Sequence, residues 1–366
     1  MSAAEWLSFH LFYHGDRDRV VTEYVRPAVT ALWESGGIER FYFIRYALGG
    51  PHVRLRVLAR PGRAGAVEER LASAAARFLH LWPSPAPLPE EEIRQANRSI
   101  LANDGGEEDD GVHPDNSFLR FPLRFEVARY GGAGLLAPTL DFFNLSSLQA
   151  LRFLEAHGGK PAPRRLAATF GLLARQVCGL ARGEEEEILT LLEYPAQSWK
   201  QLSPLAVRAD RTFEERRESF QALFRAEAAR PGGSAPASPG IPQAEIAAAR
   251  LLARETGSAP DPVRRRIASS HLHMTANRLG LRNADEVYLA RLLWRTVASL
   301  AGGELRERLA PLRTPPPPGP TLSDLVPQEM VQLLAKADRP SDNLPHPGSP
   351  PVRTFTGDPS PWSNRC

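Results

Sequence analysis

Arginine, glutamate and histidine side chains in three separate stretches of this sequence carry the chemistry for removing a proton next to a carbonyl and expelling an anionic leaving group. The first stretch, FYFIRYALGGPHVRLRV at 41–57, reads as two alternating strands joined by Gly49, Gly50 and Pro51. Tyr42, Ile44 and Tyr46 share one face of the first strand, and Phe41, Phe43 and Arg45 the other. In the second strand Arg54 and Arg56 project the same way, about 6.5–7 Å apart. That spacing makes a ready anion site. It is equally the pattern of a solvated strand face in an arginine-rich protein, and the spacing alone leaves both open. Arg45 and His52 flank the pair and are expected to bind substrate.

The second stretch is FPLRFEVARY, 121–130, with Glu126 and Arg129. Three residues apart, these two face together only if the backbone is helical or turn-like, and would oppose each other on a strand. The third is a helical stretch, 263–278, with His271, His273, Asn277 and Arg278. His271 and His273 lie about 200° apart around a helix and cannot share a metal there. Asn277, one turn after His273, is expected to hold an imidazole nitrogen, as a neutral general acid or base requires. Asn277 and Arg278 join the expected substrate-binding set. A lone helical histidine is also a common structural residue.

Positioning these groups requires an α+β fold. The pattern at 6–14 predicts a strand, and Asp16 caps a helix that ends at Gly36 and Gly37. The 41–57 hairpin and a helix over 66–82 complete an N-terminal β-α-β-β-α unit with an antiparallel or mixed sheet, its helices on one side. Residues from about 83 to 117 form an irregular insertion with a short helix near 90–101 and an acidic run at 104–110. That run lacks calcium-loop spacing. A mainly helical C-terminal half follows, with helices at 141–157, 164–180, 184–193, 212–229 and 263–278. Asn283 with Glu286 predicts a capped helix start. A linker is expected at about 230–243. The catalytic unit spans 1–312, and 313–366 is a Pro-rich tail that cannot fold by itself.

Across 366 residues the chain is 42% hydrophobic and 24% charged, with a net charge of +3. Lysine occurs only at 160, 200 and 336, so the basic pI reflects arginine usage. No dense basic block with interleaved aromatics points to nucleic acid. Cys178 and Cys366 offer neither a disulfide framework nor a cysteine zinc site. No Gly-rich phosphate loop, nucleophile elbow or metal-ligand helix motif is present, so neither a metal nor a cofactor is expected. The N-terminus lacks a signal-peptide pattern and no window is apolar enough to span a membrane, which makes the cytoplasm the default location.

Four blocks in order carry a family resemblance: WLSFHLFY near the start, FIRY with GPHVRLRV, EVARYGG, and SSHLHMTANRLG. Together they resemble the C-terminal domain of class I lantibiotic dehydratases, the thiopeptide-type bacteriocin biosynthesis domain, over roughly residues 5–300. The resemblance implies elimination of glutamate from glutamylated Ser or Thr of a ribosomally made precursor peptide, leaving dehydroalanine or dehydrobutyrine. It assigns the arginine pair to Arg54 and Arg56, the carboxylate and arginine before Tyr-Gly-Gly to Glu126 and Arg129, and the histidine to His273.

The glutamylation domain of the large enzymes has no counterpart here, so the resemblance is to a stand-alone member, an elimination lyase working with a separate glutamylating subunit. Stand-alone members also include pyridine synthases, which join two dehydroalanines by a formal aza-[4+2] cycloaddition and release the leader. A third possibility is a non-catalytic module that binds leader peptide.

Overall fold

The computed structural model describes residues 3–104, 111–160, 162–198, 203–228, 241–300, 302–314, 316 and 321–325. The acidic run from 105, the linker from 229 to 240 and the tail beyond 325 lie outside the described residues. Strand β1 (Glu5–Phe12) leads into a helix in three pieces: α1 (Arg17–Arg19), a π-helical stretch (Val20–Val25) and α2 (Arg26–Glu34). Pro27 explains the widened turn, because it has no N–H to give residue 23, and the Arg26 N–H reaches back to the Val21 carbonyl instead. Asp16 caps the start by accepting from the Asp18 N–H at 2.9 Å, as its position in the sequence implies.

Strands β2 (Ile38–Tyr46) and β3 (His52–Ala59) form the expected hairpin, followed by α3 (Ala64–Leu81), α4 (Glu90–Asp104) and β4 (Ser117–Arg120). The sheet runs β2-β3-β1-β4 and every pairing is antiparallel. Gly49 and Gly50 turn the hairpin at φ of +80° and +117°. Alternation sorts its residues as expected: Leu7, Phe9, Leu11, Phe41, Phe43, Val53, Leu55 and Val57 join the main core with Val21, Val25, Val29, Leu71 and Phe78 of the helices. The opposite face carries Ser8, His10, Tyr42, His52, Arg54 and Arg56 in neighbouring register positions.

The rest is helical: α5 (Leu136–His157), α6 (Ala162–Leu180), α7 (Glu185–Ser198), α8 (Ser203–Ala228), α9 (Ile241–Glu255), α10 (Asp261–Arg278), α11 (Asn283–Leu300) and α12 (Gly303–Arg313). Helix α8 breaks regular geometry at Arg216. Helix α11 is capped one residue earlier than its sequence implies: Asp285 accepts from the Arg282 N–H, while Glu286 turns elsewhere.

Helices α5 and α10 seal the outer edge of β2 with side chains rather than a further strand. Asn144 and Ser147 accept from the Phe41 and Phe43 N–H groups at 2.8 and 3.2 Å. Asn277 accepts from the Arg45 N–H and donates to the Arg45 carbonyl, both at 2.8 Å, and Arg278 donates to the Phe43 carbonyl at 2.9 Å. Each such bond is worth about 1 kcal/mol, and together they hide an edge that would otherwise template pairing.

The insertion is docked where it is described. Asn97 and Gly49 meet at 2.9 Å, His113 donates its N–H to the Gly49 carbonyl at 2.8 Å, and His14 accepts from the Leu88 N–H at 2.9 Å. The fold also reaches past residue 312. Leu322 is fully buried, and the Ser323 hydroxyl donates to Asp141 at 2.6 Å, so 321–325 packs against the body. Among the described residues no helix is long and apolar enough to cross a membrane.

Candidate functional site

The segment after β4 packs on the polar strand face, with Phe121 stacked on His10 at 4.1 Å and Phe125 6.1 Å from Trp6 between ring centroids, while α10 meets the edge of β2. Between Glu126 and Arg129 the backbone turns, which the three-residue spacing requires if the two are to meet. Arg129 donates to Glu126 at 3.0 Å and, from Nε, to the Ser270 hydroxyl of α10 at 3.2 Å. Ser270, His273, Met274 and Asn277 follow the i, i+3, i+4, i+7 pattern and therefore share one face of α10. That face connects the Arg129 turn at Ser270 to the end of β2 at Asn277, with His273 between them.

His273 is held by Glu286 of α11 and not by Asn277: its Nδ1 lies 2.8 Å from a Glu286 carboxylate oxygen, and Glu286 is only 6% exposed. Asn277 cannot serve because both ends of its amide are spent on β2. A carboxylate accepts from Nδ1 and so favours the tautomer that leaves the lone pair at Nε2, the arrangement a general base uses. Glu286 is invisible in the sequence as a partner, since it reads equally well as a capping residue.

Arg56 donates from Nη1 to the Tyr42 hydroxyl at 2.8 Å. Arg54 is nearly buried, stacks over the Tyr46 ring at 3.9 Å and donates from Nε to His52 Nε2 at 3.0 Å. His52 in turn sits 2.8 Å from the Gly50 carbonyl through Nδ1, so its proton is on Nδ1 and its Nε2 accepts. With no exposed surface, His52 orients Arg54 rather than contacting a ligand. Burial first, then Arg54, pushes the His52 pKa well down. His10 stacks on His52 with 4.9 Å between ring centroids and is likewise kept neutral, mainly by burial.

Beneath these groups lies a second hydrophobic cluster of Tyr42, Tyr130, Leu140 and Phe143, flanked by Trp6, Phe125, Leu136 and Met274. Phe143 is its hub: the rings of Tyr42, Tyr130 and His271 have centroids 5.2 Å from it, and Arg278 stacks over it at 4.5 Å. Arg278 is fully buried with neither Nη paired, and burial lowers its pKa to about 10. His271 is also fully buried and unpaired at both ring nitrogens.

Arg45 reaches away from the polar face to Asp18 at 2.7 Å, and Arg165 of α6 pairs with the same carboxylate. The structure thus pairs Tyr42 with Arg56, Glu126 with Arg129, and His273 with Glu286, and brings Glu126 close enough to Tyr42 to act on it electrostatically. Four residues expected at the substrate, Arg45, His52, Asn277 and Arg278, are engaged with protein groups. Tyr42, Ser270 and Glu286 are the partners of Arg56, Arg129 and His273, and only the strand alternation of Tyr42 hinted at any of them. Among the described residues no three His, Cys, Asp or Glu side chains come together as metal ligands.

Comparison with solved structures gives the same architecture. The pyridine synthase TbtD from thiomuracin biosynthesis superposes with a TM-score of 0.67 at 20% identity, covering 81% of this chain and 98% of that one. TsrL superposes with a TM-score of 0.55 at 17% identity, covering 87% and 100%. The tRNA-dependent lantibiotic dehydratase MibB from Microbispora sp. 107891 gives 0.51 at 18% identity, covering 81% of this chain but 28% of that one. At such identities the likeness is one of fold. A search of curated proteins gave no match. The family model of the lantibiotic biosynthesis dehydratase C-terminal domain matches residues 6–297, and with four fifths of its length inside that match the chain belongs to this family.

Proposed function

We propose that the chain is a tailoring enzyme of ribosomally synthesised peptides that eliminates glutamate from glutamylated Ser or Thr side chains. The reading is supported by three oriented pairs, Arg56 on Tyr42, Arg129 on Glu126 and His273 on Glu286. In the reaction, a base removes the Ser or Thr Cα proton, the Cα–Cβ double bond forms, and the Cβ–O bond breaks to release glutamate through its carboxylate. His273, oriented by Glu286, takes the proton. Arg54, Arg56 and Arg129 hold anionic charge on the departing glutamate and on the enolate-like carbonyl. Glu126 tethers Arg129 and is itself exposed. The substrate is a precursor peptide with its leader, glutamylated by a separate subunit in the cytoplasm.

The test is mass spectrometry of the purified protein with a glutamylated precursor peptide. Loss of glutamate with formation of a dehydro residue is the expected result, and an unchanged mass overturns the reading. A second reading is favoured by one observation: the chain covers nearly the whole of TbtD but little more than a quarter of MibB. Under it, a dehydrated precursor loses its leader in a pyridine-forming cycloaddition, which the same assay detects with dehydrated peptide. Binding without any mass change marks a leader-binding module.

Replacing Glu286 with alanine is expected to lower turnover about 10- to 100-fold, because His273 loses the carboxylate that sets its tautomer. Steady-state kinetics with a circular-dichroism check of folding decide this. Unaltered turnover in a folded variant would remove Glu286 from the mechanism.

A further inference from the structure

Most arginines near the site spend their charge on a carboxylate: Arg40 on Asp141, Arg45 and Arg165 on Asp18, Arg129 on Glu126. Arg56 does not. Among the described residues its polar partner is the neutral hydroxyl of Tyr42. We propose that Tyr42 is a positioning residue that fixes Arg56 while leaving its positive charge uncompensated for an anionic substrate group, an inference that rests on the elimination reading.

Register makes the pair. Tyr42 and Arg56 are directly opposed on β2 and β3 and project from the same face, with Ser8 of β1 opposite Arg56 on its other side. The Tyr42 ring is 1% exposed and pinned at two edges, by Trp6 at 5.6 Å and Phe143 at 5.2 Å between centroids. A phenol so held presents its oxygen at one place, and Arg56 is anchored there through Nη1 at 2.8 Å. The guanidinium carbon lies 5.5 Å from the centroid of the same ring, so the π face adds attraction without adding charge.

Burial, opposed by Arg56, raises the Tyr42 pKa, so the anchor stays a neutral phenol at physiological pH. Glu126 is close enough to act electrostatically on that phenol, yet its carboxylate is turned to Arg129. A carboxylate at the Tyr42 hydroxyl would orient Arg56 equally well but would neutralise it. A neutral acceptor gives orientation and keeps the charge available, which is what an anion-stabilising group needs when leaving-group charge develops.

Two measurements on the full chain test this. The first needs no turnover: phenylglyoxal modifies accessible arginines, and peptide mass mapping follows Arg56 alone. Tyr42→Phe deletes one oxygen and keeps the ring contacts, so Arg56 is expected to react several-fold faster while the unfolding midpoint holds. Tyr130→Phe removes a hydroxyl from the same aromatic cluster and is expected to leave Arg56 at the wild-type rate. Unchanged Arg56 reactivity in Tyr42→Phe overturns the proposal, whatever reaction the protein catalyses.

The second measurement is a double-mutant cycle on glutamate release. Tyr42→Phe is expected to lower kcat by about 10- to 100-fold with a much smaller change in KM. In an Arg56→Ala background it is expected to have no further effect, because it acts only through Arg56. Additive losses would show that Tyr42 acts on its own and would overturn the assignment. Absence of glutamate release by the wild type would refute the elimination reading and leave the phenylglyoxal result to decide Tyr42.

Discussion

Arg56→Ala is expected to cut glutamate release by about 10²–10³-fold, the usual cost of removing one preorganised charge donor from a developing anion. Its position makes it the most informative of the three site arginines. Arg54 is nearly buried and shared with His52 and Tyr46, and Arg129 is partly committed to Glu126. Arg56 is half-buried, oriented by Tyr42 and unpaired with any carboxylate among the described residues. Truncation should reduce kcat more than it raises KM, since the charge it answers is largest in the transition state. Single-turnover loss of glutamate, followed by mass spectrometry, isolates that step. Elimination at the wild-type rate in folded Arg56→Ala would sink the role.

Acidification from pH 6.5 to pH 5 is expected to remove about 5 kcal/mol of folding stability, a large part of the 5–15 kcal/mol typical of a domain. Three histidines are responsible. His52 and His271 are fully buried and His10 is 6% exposed. Burial depresses all three, with Arg54 adding to it at His52 and Arg278 at His271. The folded state therefore refuses a proton that the unfolded chain accepts near its ordinary value of about 6.5. For a base depressed on folding, stability is complete above that value and is lost as pH falls below it, by about 1–2 kcal/mol per group down to pH 5. Urea unfolding at pH 7 and pH 5 measures the slope. His271→Phe, which fits a ring already packed against Tyr130, Phe142 and Phe143, should remove about a third of it. A stability unchanged between pH 6.5 and 5 would mean that these rings do reach water.

Strand periodicity is local, and it sufficed for the hairpin: alternation in 41–57 separates Phe41, Phe43, Val53, Leu55 and Val57 from Tyr42, Arg54 and Arg56, and the structure keeps that division. Helical spacing likewise placed α5, α6 and α10 within a few residues of their observed bounds. Segment 121–130 defeated such reasoning. A strand ends at Arg120, one residue before it, and the turn that joins Glu126 to Arg129 depends on docking against α10 through Ser270. Helix α9, the cap of α11 and the packing of 321–325 were also outside what local pattern could give.

The sequence by itself determined which residues could do chemistry: an arginine pair on one strand face, a carboxylate and arginine three apart, and a histidine on a helix. Only the tertiary structure decided their partners, because a partner is chosen by what another element brings within hydrogen-bond reach. Asn277, one turn from His273 in sequence, went to the unpaired edge of β2, where backbone groups would otherwise stay unsatisfied. Glu286, thirteen residues away on the next helix, took the imidazole. Arg45 and His52 were drawn into the fold by the same demand that buried polar groups be matched, whereas Arg56 is held by a neutral tyrosine.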